Sequence, residues 1–437
     1  MNLTSVLSIL TSFLTSPFTS ETSINNTMLN LLSIATALLM GVVTSHYDID
    51  MTRPQPTYTD SLGYGYDHGT TKLSKTQTSP MFFSFKVPEG DYKVTVTLGS
   101  KQYAGVTALR SETRRLVVDK MVTRKGELRD VTFNVNVHTP YIDGKKTVRI
   151  DKREIGTWGW DNKLTLEFNG EAPAVSRILV EPNTPKCKIW LCGNSTVTDQ
   201  DGEPYASWGQ MLPFWFNEKV SVENLAMSGL RTTSFIQQNR LEKIKAEVSK
   251  DDYVLVEFGH NDEKDRHSGS GAWYNFSMNL KTFIDELRPL GAHIILITPT
   301  ERRNFQDGKA RPTHGDYPAA IRTIAERENV PLIDLTIATT TLFNAMGEDG
   351  SKHLLVHYPT GTFPRQETEL KDNTHANAFG AFEISKLVVE AMKKLDITPI
   401  KYLRNEWSGF TPSEPDDWQQ FYWPPTPSGY TEKPAGN

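Results

Sequence analysis

Two hydrophobic periodicities divide the chain. From about Tyr47 to Glu181 apolar and polar residues alternate in short runs: Met81–Val87 and Tyr92–Leu98 flank the turn Pro88-Glu89-Gly90-Asp91. Arg115–Val118, Asp130–Val137, Thr147–Ile150, Lys163–Phe168 and Val175–Val180 continue the series. A period of two, broken by turn residues and never by a helical period, predicts an antiparallel β-sandwich. After Cys187 the runs become short and continuously apolar: Lys188–Cys192, Val220–Leu225, Tyr253–Phe258, His293–Thr298 and Pro331–Leu335. Helical periods separate them at Phe235–Val248, Tyr274–Leu290, Tyr317–Glu328 and Ala378–Leu395. Strands buried on both faces and alternating with helices predict a parallel sheet in a three-layer α/β/α domain. Ligands in such a sheet bind at the carboxyl ends of the strands. Glu181-Pro-Asn-Thr-Pro185 reads as a linker, which gives a sandwich over 46–183 and an α/β domain over 188–400.

The two ends follow neither pattern. Residues 1–45 carry a single charge, Glu21, and contain the mostly apolar run Leu29–Val43. That length suits the apolar segment of a signal peptide, with Val43-Thr-Ser45 as small residues for cleavage, so the mature chain is expected to start near His46. A membrane anchor and a mis-called extension ahead of Met28 are the alternatives. Export to the periplasm, cell surface or medium is the expectation, with no stable membrane partner. The tail, 401–437, holds three Trp and six Pro without periodicity, and its aromatic load predicts that it packs on the surface.

Composition narrows this picture modestly. At 437 residues two domains are the natural reading, and nine Trp, fifteen Tyr and twenty Phe suffice for real cores. A balance of 47 basic against 52 acidic residues gives no reason to expect nucleic acid as a partner. Cys187 and Cys192 are an odd number of residues apart on one expected strand, hence on opposite faces and not bridged.

Candidate chemistry sits where strands end. Gly193-Asn194-Ser195-Thr196 follows the first apolar strand, and Asn224-Leu-Ala-Met-Ser-Gly229 follows the second. Gly259-His260-Asn261-Asp262 follows the third, and Asp372-Asn-Thr-His375 precedes the last helical stretch. Ser195 supplies a nucleophile, and His375 oriented by Asp372 supplies a base. The Ser195 and Gly229 N–H groups and the Asn261 amide supply oxyanion donors. Each alone has a plainer reading as a turn serine, a loop glycine, an Asx-turn or a helix cap; His260 and Asp262 are read as structural. No zinc, P-loop or EF-hand pattern is present, the proposed chemistry requires no metal or cofactor, and Val197 breaks the G-x-S-x-G elbow of ordinary α/β-hydrolases.

These four blocks resemble the SGNH, or GDSL, hydrolases, whose blocks carry Ser, Gly, Asn and His. Ser195-Thr-Val-Thr-Asp-Gln200, Trp208-Gly-Gln-Met-Leu-Pro213, Phe258–Asp262 and Thr298-Pro-Thr-Glu-Arg-Arg303 with Thr313-His314 are similar to the rhamnogalacturonan acetylesterase branch. The resemblance implies an SGNH-type catalytic domain that removes acetyl groups from a pectic polysaccharide through an acyl-enzyme. The preceding sandwich resembles galactose-binding-like domains. One departure is Asn194, where the family carries an acidic residue; Asn194-Ser-Thr196 is also a glycosylation sequon, and a glycan there would block the site, which favours a bacterial source.

Arg302, Arg303 and His314 are candidates for meeting uronate carboxylates, or equally for internal salt bridges. Trp208 is a candidate for stacking on sugar, or for the core. Two other functions are open: a lipolytic esterase or thioesterase of the same fold, and a glycan-binding protein without catalysis.

Overall fold

The structure, a computed structural model, describes residues 46–72, 80–364 and 366–426. The expected signal segment and the last eleven residues of the tail lie outside the described residues. Among the described residues, nine strands build the two sheets of the first domain: β1 (Tyr47–Asp50), β2 (Tyr64–Asp67), β3 (Met81–Lys86), β4 (Gly90–Leu98), β5 (Gly105–Ser111), β6 (Arg115–Thr123), β7 (Arg129–Val137), β8 (Lys163–Asn169) and β9 (Val175–Pro182). They form two antiparallel sheets, β1-β9-β4-β7 and β2-β3-β8-β5-β6. Alternate residues of both sheets, among them Phe83, Phe85, Val94, Val96, Leu166 and Ile178, meet in one core. This is a sandwich, as the period of two predicts.

One expected strand is absent. Thr147 ends a two-residue piece, and 148–150 are irregular. The Arg149 N–H donates to the Gln238 carbonyl of the second domain at 2.9 Å, not to a sandwich strand. The segment between β7 and β8 therefore leaves the sandwich and lies against its neighbour.

The second domain holds a parallel sheet of β10 (Cys187–Cys192), β11 (Val220–Asn224), β12 (Tyr253–Glu257), β13 (His293–Ile297) and β14 (Leu332–Ile333). Its order, β11-β10-β12-β13-β14, reverses direction at β10. Crevices open outside the carboxyl end of a strand at such a reversal, and Ser195 follows β10. Ile189 and Leu191 face one core while Trp190 and Cys192 face the other, so helices cover both sides. Cys187 and Cys192 are free and buried.

Besides a single turn at Trp208–Met211, the α-helices described are α1 (Thr232–Gln237), α2 (Arg240–Glu247), α3 (Ser277–Leu287), α4 (Tyr317–Glu328), α5 (Leu335–Gly350) and α6 (Ala378–Lys394). The period at 235–248 is two helices because Asn239 adopts a left-handed φ of 63° between them. Helix α5 was not expected from its β-branched Leu-Thr-Ile-Ala-Thr-Thr-Thr start; the Asp334 side chain caps it by accepting from the Ile337 N–H. A final hairpin pairs β15 (Leu355–Tyr358) with β16 (Leu370–Ala376) ahead of α6. No described helix is long and apolar enough to cross a membrane.

Buried arginines join the domains. Arg114 donates to the Gln200 and Tyr205 carbonyls and pairs with Glu203 at 2.6 Å, while Arg115 pairs with Asp199 at 2.6 Å. The tail is packed as far as Thr426: Trp423 lies 3.7 Å under the Arg110 guanidinium and its indole N–H donates to Glu203. Arg110 also donates to the Pro424 carbonyl and pairs with buried Glu167.

Candidate active site

The turn after β10 is shaped by packing. A Cβ on Gly193 would lie 2.4 Å from Val197 Cγ2, so only glycine fits there, although its φ is ordinary. The sequence suggests backbone freedom at this position; close approach is the actual constraint. The Asn194 carbonyl accepts from the Val197 and Thr198 N–H groups, and its side-chain oxygen accepts from the Thr196 N–H at 3.1 Å. Asn194 is thus the organiser of the turn, a task that needs its carbonyl oxygen and no charge. It is fully buried, so in the folded chain the sequon is closed to a glycan. The Gln200 amide holds the Ser195 carbonyl at 2.7 Å.

Ser195 Oγ lies 2.8 Å from His375 Nε2, and His375 Nδ1 lies 2.9 Å from Asp372 Oδ2. The Asp-x-x-His segment is within strand β16, where a turn before α6 was expected. Lys371 pairs with His357 and Ala376 with Leu355, so residues 372–375 bulge opposite Val356 alone. A bulge re-aims side chains without ending the strand; here it turns both Asp372 and His375 inward. Burial alone would raise the Asp372 carboxyl, but the His375 hydrogen bond and charge, with the backbone N–H groups of His375 and Thr374, hold it down at about 2. Asp372 is therefore a carboxylate at any working pH, and it fixes the proton of a neutral imidazole on Nδ1, leaving Nε2 to accept from Ser195.

The oxyanion candidates come from the next two strand exits. Gly229 has a φ of 87°, a conformation that favours glycine. Neither its N–H nor that of Ser195 makes a hydrogen bond to a described residue. The Asn261 amide donates to the Leu230 carbonyl at 3.1 Å, which ties the Gly229 turn to the third block and leaves its second hydrogen available. Asp262 accepts from both the N–H and hydroxyl of Thr232 at the start of α1, and burial raises its carboxyl to about 6. His260 is buried and kept neutral, its pKa pushed well below the ordinary value by burial and by the charges of His314 and Arg302.

Glu257, the last residue of β12, carries no sequence signal beyond one acid in an apolar run. It is fully buried and accepts from the Trp208 indole N–H and from Thr196 Oγ1, the latter at 2.8 Å. Burial raises it to about 7 against these hydrogen bonds. It fastens the Ser195 turn from beneath.

The four residues proposed for substrate contact have other tasks. Trp208 is 1% exposed, so it belongs to the core and cannot stack on a sugar. His314 is buried, bonded to the Thr300 carbonyl and Glu263. Arg302 pairs with Glu263 and donates to the His260 carbonyl, which spends its charge beneath the third block. Arg303 donates from its backbone to the Asn373 carbonyl and from its guanidinium to Asn373, Ser351 and Glu348, and so braces the bulge from outside.

Residues 191–380 match the GDSL-like Lipase/Acylhydrolase family. The rhamnogalacturonan acetylesterase RhgT of Bacillus subtilis strain 168 is 38% identical over 217 residues, 49% of this chain and 92% of the relative. The probable rhamnogalacturonan acetylesterase YesY of the same organism is 32% identical over 214 residues, 48% of this chain and 94% of the relative. The uncharacterized esterase YxiM, also from B. subtilis, is 27% identical over 321 residues, 72% of this chain and 75% of the relative. With its strand-end serine, its bulge-borne Asp–His pair and these relatives, the chain belongs to the GDSL-like lipase/acylhydrolase family of serine ester hydrolases.

Proposed function

We propose that this protein is a carbohydrate acetylesterase that removes acetyl groups from a pectic polysaccharide. The observation that carries the reading is the unbroken hydrogen-bond chain Asp372–His375–Ser195 at the strand-order reversal. Ser195 Oγ attacks the acetyl carbonyl carbon as His375 Nε2 takes its proton, and Asp372 stabilises the imidazolium that forms. Negative charge gathers on the carbonyl oxygen, where the Ser195 and Gly229 N–H groups and the free hydrogen of Asn261 stabilise it. Collapse of the tetrahedral intermediate expels the sugar oxygen, which leaves as an alcohol with the proton from His375. Water then repeats the sequence on the acetyl-serine, releasing acetate and restoring Ser195. The named relatives RhgT and YesY support the acetyl ester and the pectic polymer. Such a polymer lies outside the cell, and we assign export to the apolar run Leu29–Val43. Acetate release from a panel of acetylated polysaccharides tests the reading. Acetylated rhamnogalacturonan is expected to be the best substrate; greater activity on long-chain lipid esters than on any acetylated glycan would overturn it.

A further inference from the structure

A crevice of about 250 Å³ opens between the domains, lined by Arg115, His138, Arg153 and Trp160 of the sandwich and by Thr198–Asp201 and Asn224–Ser228 of the second domain. It adjoins the reactive serine through named bonds. Gln200, one of its walls, holds the Ser195 carbonyl, Thr198 donates to the Asn194 carbonyl, and Ser228 precedes Gly229. Arg153 and Trp160 of the sandwich wall lie on the segment that leaves the strand series after β7. Glu154 anchors it by accepting from Arg240 of the second domain, from the Trp160 indole and from the Asp151 N–H. Arg240 is itself fully buried and donates to the Leu225 carbonyl at the exit of β11. The wall is therefore fastened to the strand exit that carries Gly229.

The charges in the crevice are mostly spent. Asp199 is paired with Arg115, Glu154 with Arg240, and Asp201 also has a partner. Arg153 is exposed, and among the described residues its guanidinium has neither hydrogen bond nor ion pair. Trp160, half-buried, lines the same crevice, its ring 4.3 Å from that of His138 and 5.4 Å from the Arg240 guanidinium.

Building on the acetylesterase reading, we infer that this crevice receives the sugar next to the acetylated one, and that Arg153 selects a uronic acid there. A guanidinium fork binds a carboxylate bidentately, and an indole face suits a sugar ring. The volume lies just below the range of about 300–1,000 Å³ usual for small-ligand sites, room for about one sugar ring. The substrate carboxylate would thus be read from the sandwich and not from Arg302 or Arg303, whose charges are committed elsewhere.

The test compares three substrates: acetylated rhamnogalacturonan oligosaccharide, the same material with its carboxyls reduced to alcohols, and p-nitrophenyl acetate. Arg153→Ala should lower kcat/KM on the acidic oligosaccharide by about tenfold, the contribution of one charge-assisted hydrogen bond. Arg153→Glu should lower it further, and Arg153→Lys should keep part of it. The loss on the reduced oligosaccharide should be smaller, since an alcohol accepts only a neutral hydrogen bond, and activity on p-nitrophenyl acetate, too small to reach the crevice, should not change. If the wild type prefers the acidic form and Arg153→Ala keeps that preference, the inference fails while the substrate class stands. If the wild type treats acidic and reduced forms alike, the uronate reading fails and the inference falls with it.

Discussion

Replacing Glu257 by glutamine isolates the stability contribution of a buried acid beneath the nucleophile. Glutamine keeps an oxygen to accept from Trp208 and offers an N–H to Thr196, so the packing persists while the titration disappears. In the wild type the folded chain holds the Glu257 proton more tightly than the unfolded chain does, since burial raises it from 4.5 to about 7. A group raised in the folded state lends stability that is fully present below the unfolded value and is lost as pH rises through the folded one. At about 1.4 kcal/mol per tenfold change in proton affinity, the loss between about pH 4.5 and 7 is about 3 kcal/mol. Urea unfolding of both proteins at several pH values across that window checks this, because other titrating groups cancel in the difference. Glu257→Gln should gain about 3 kcal/mol relative to wild type from the acid end to the neutral end. Its turnover of p-nitrophenyl acetate should stay within a few-fold, because Glu257 touches no reacting atom. A difference in stability that is flat with pH would refute the reasoning.

Three further outcomes are expected. Asn261→Ala should lower kcat by ~10²–10³ with KM little changed, as loss of one oxyanion donor does; a raised KM with intact kcat in steady-state assays would make Asn261 a substrate-binding residue. Arg303→Ala should lower kcat equally on acetylated polymer and on p-nitrophenyl acetate, because it removes the guanidinium bonds to the Asn373 side-chain oxygen, Ser351 and the Glu348 carbonyl and so loosens the bulge that carries Asp372 and His375; a selective loss on the polymer would return Arg303 to substrate contact. Arg110→Met should destabilise the protein by about 3–5 kcal/mol in urea unfolding, since Glu167 is left as a buried, uncompensated charge; an unchanged midpoint would deny that the tail clamp stabilises the fold.

What could be read from the chain follows from what is local. The parallel strands announce themselves as continuous apolar runs, and Ser195, Gly229 and Asn261 lie within a few residues of their ends, so these were legible with their strand exits; the Asp372–His375 pair was legible only by its spacing ahead of the last helical period, and the bulged strand that carries it was not. The Thr147–Ile150 segment alternates like a strand but finds its backbone partner in Gln238, far along the chain, which no local period reveals. Helix α5 hides because β-branched threonines suit strands locally, while its cap and burial override that preference. Glu257 looks like one acid in an apolar run; its meaning depends on Trp208 and Thr196 reaching it from two other segments. The arginines mislead for the same reason: Arg302 and Arg303 lie beside a recognisable block, but Glu263 and Asn373 claim them, whereas Arg153 sits in a loop that carries no motif.

The central claim is that Ser195 is the nucleophile of an acyl-enzyme. Treating the protein with an organophosphonate ester and mapping the modified peptide by mass spectrometry tests it most directly. The label should appear on Ser195, in step with loss of acetate release, and should fail to form in His375→Ala. Full inactivation with the label on another residue, or unmodified Ser195 in an inactivated enzyme, would contradict the account.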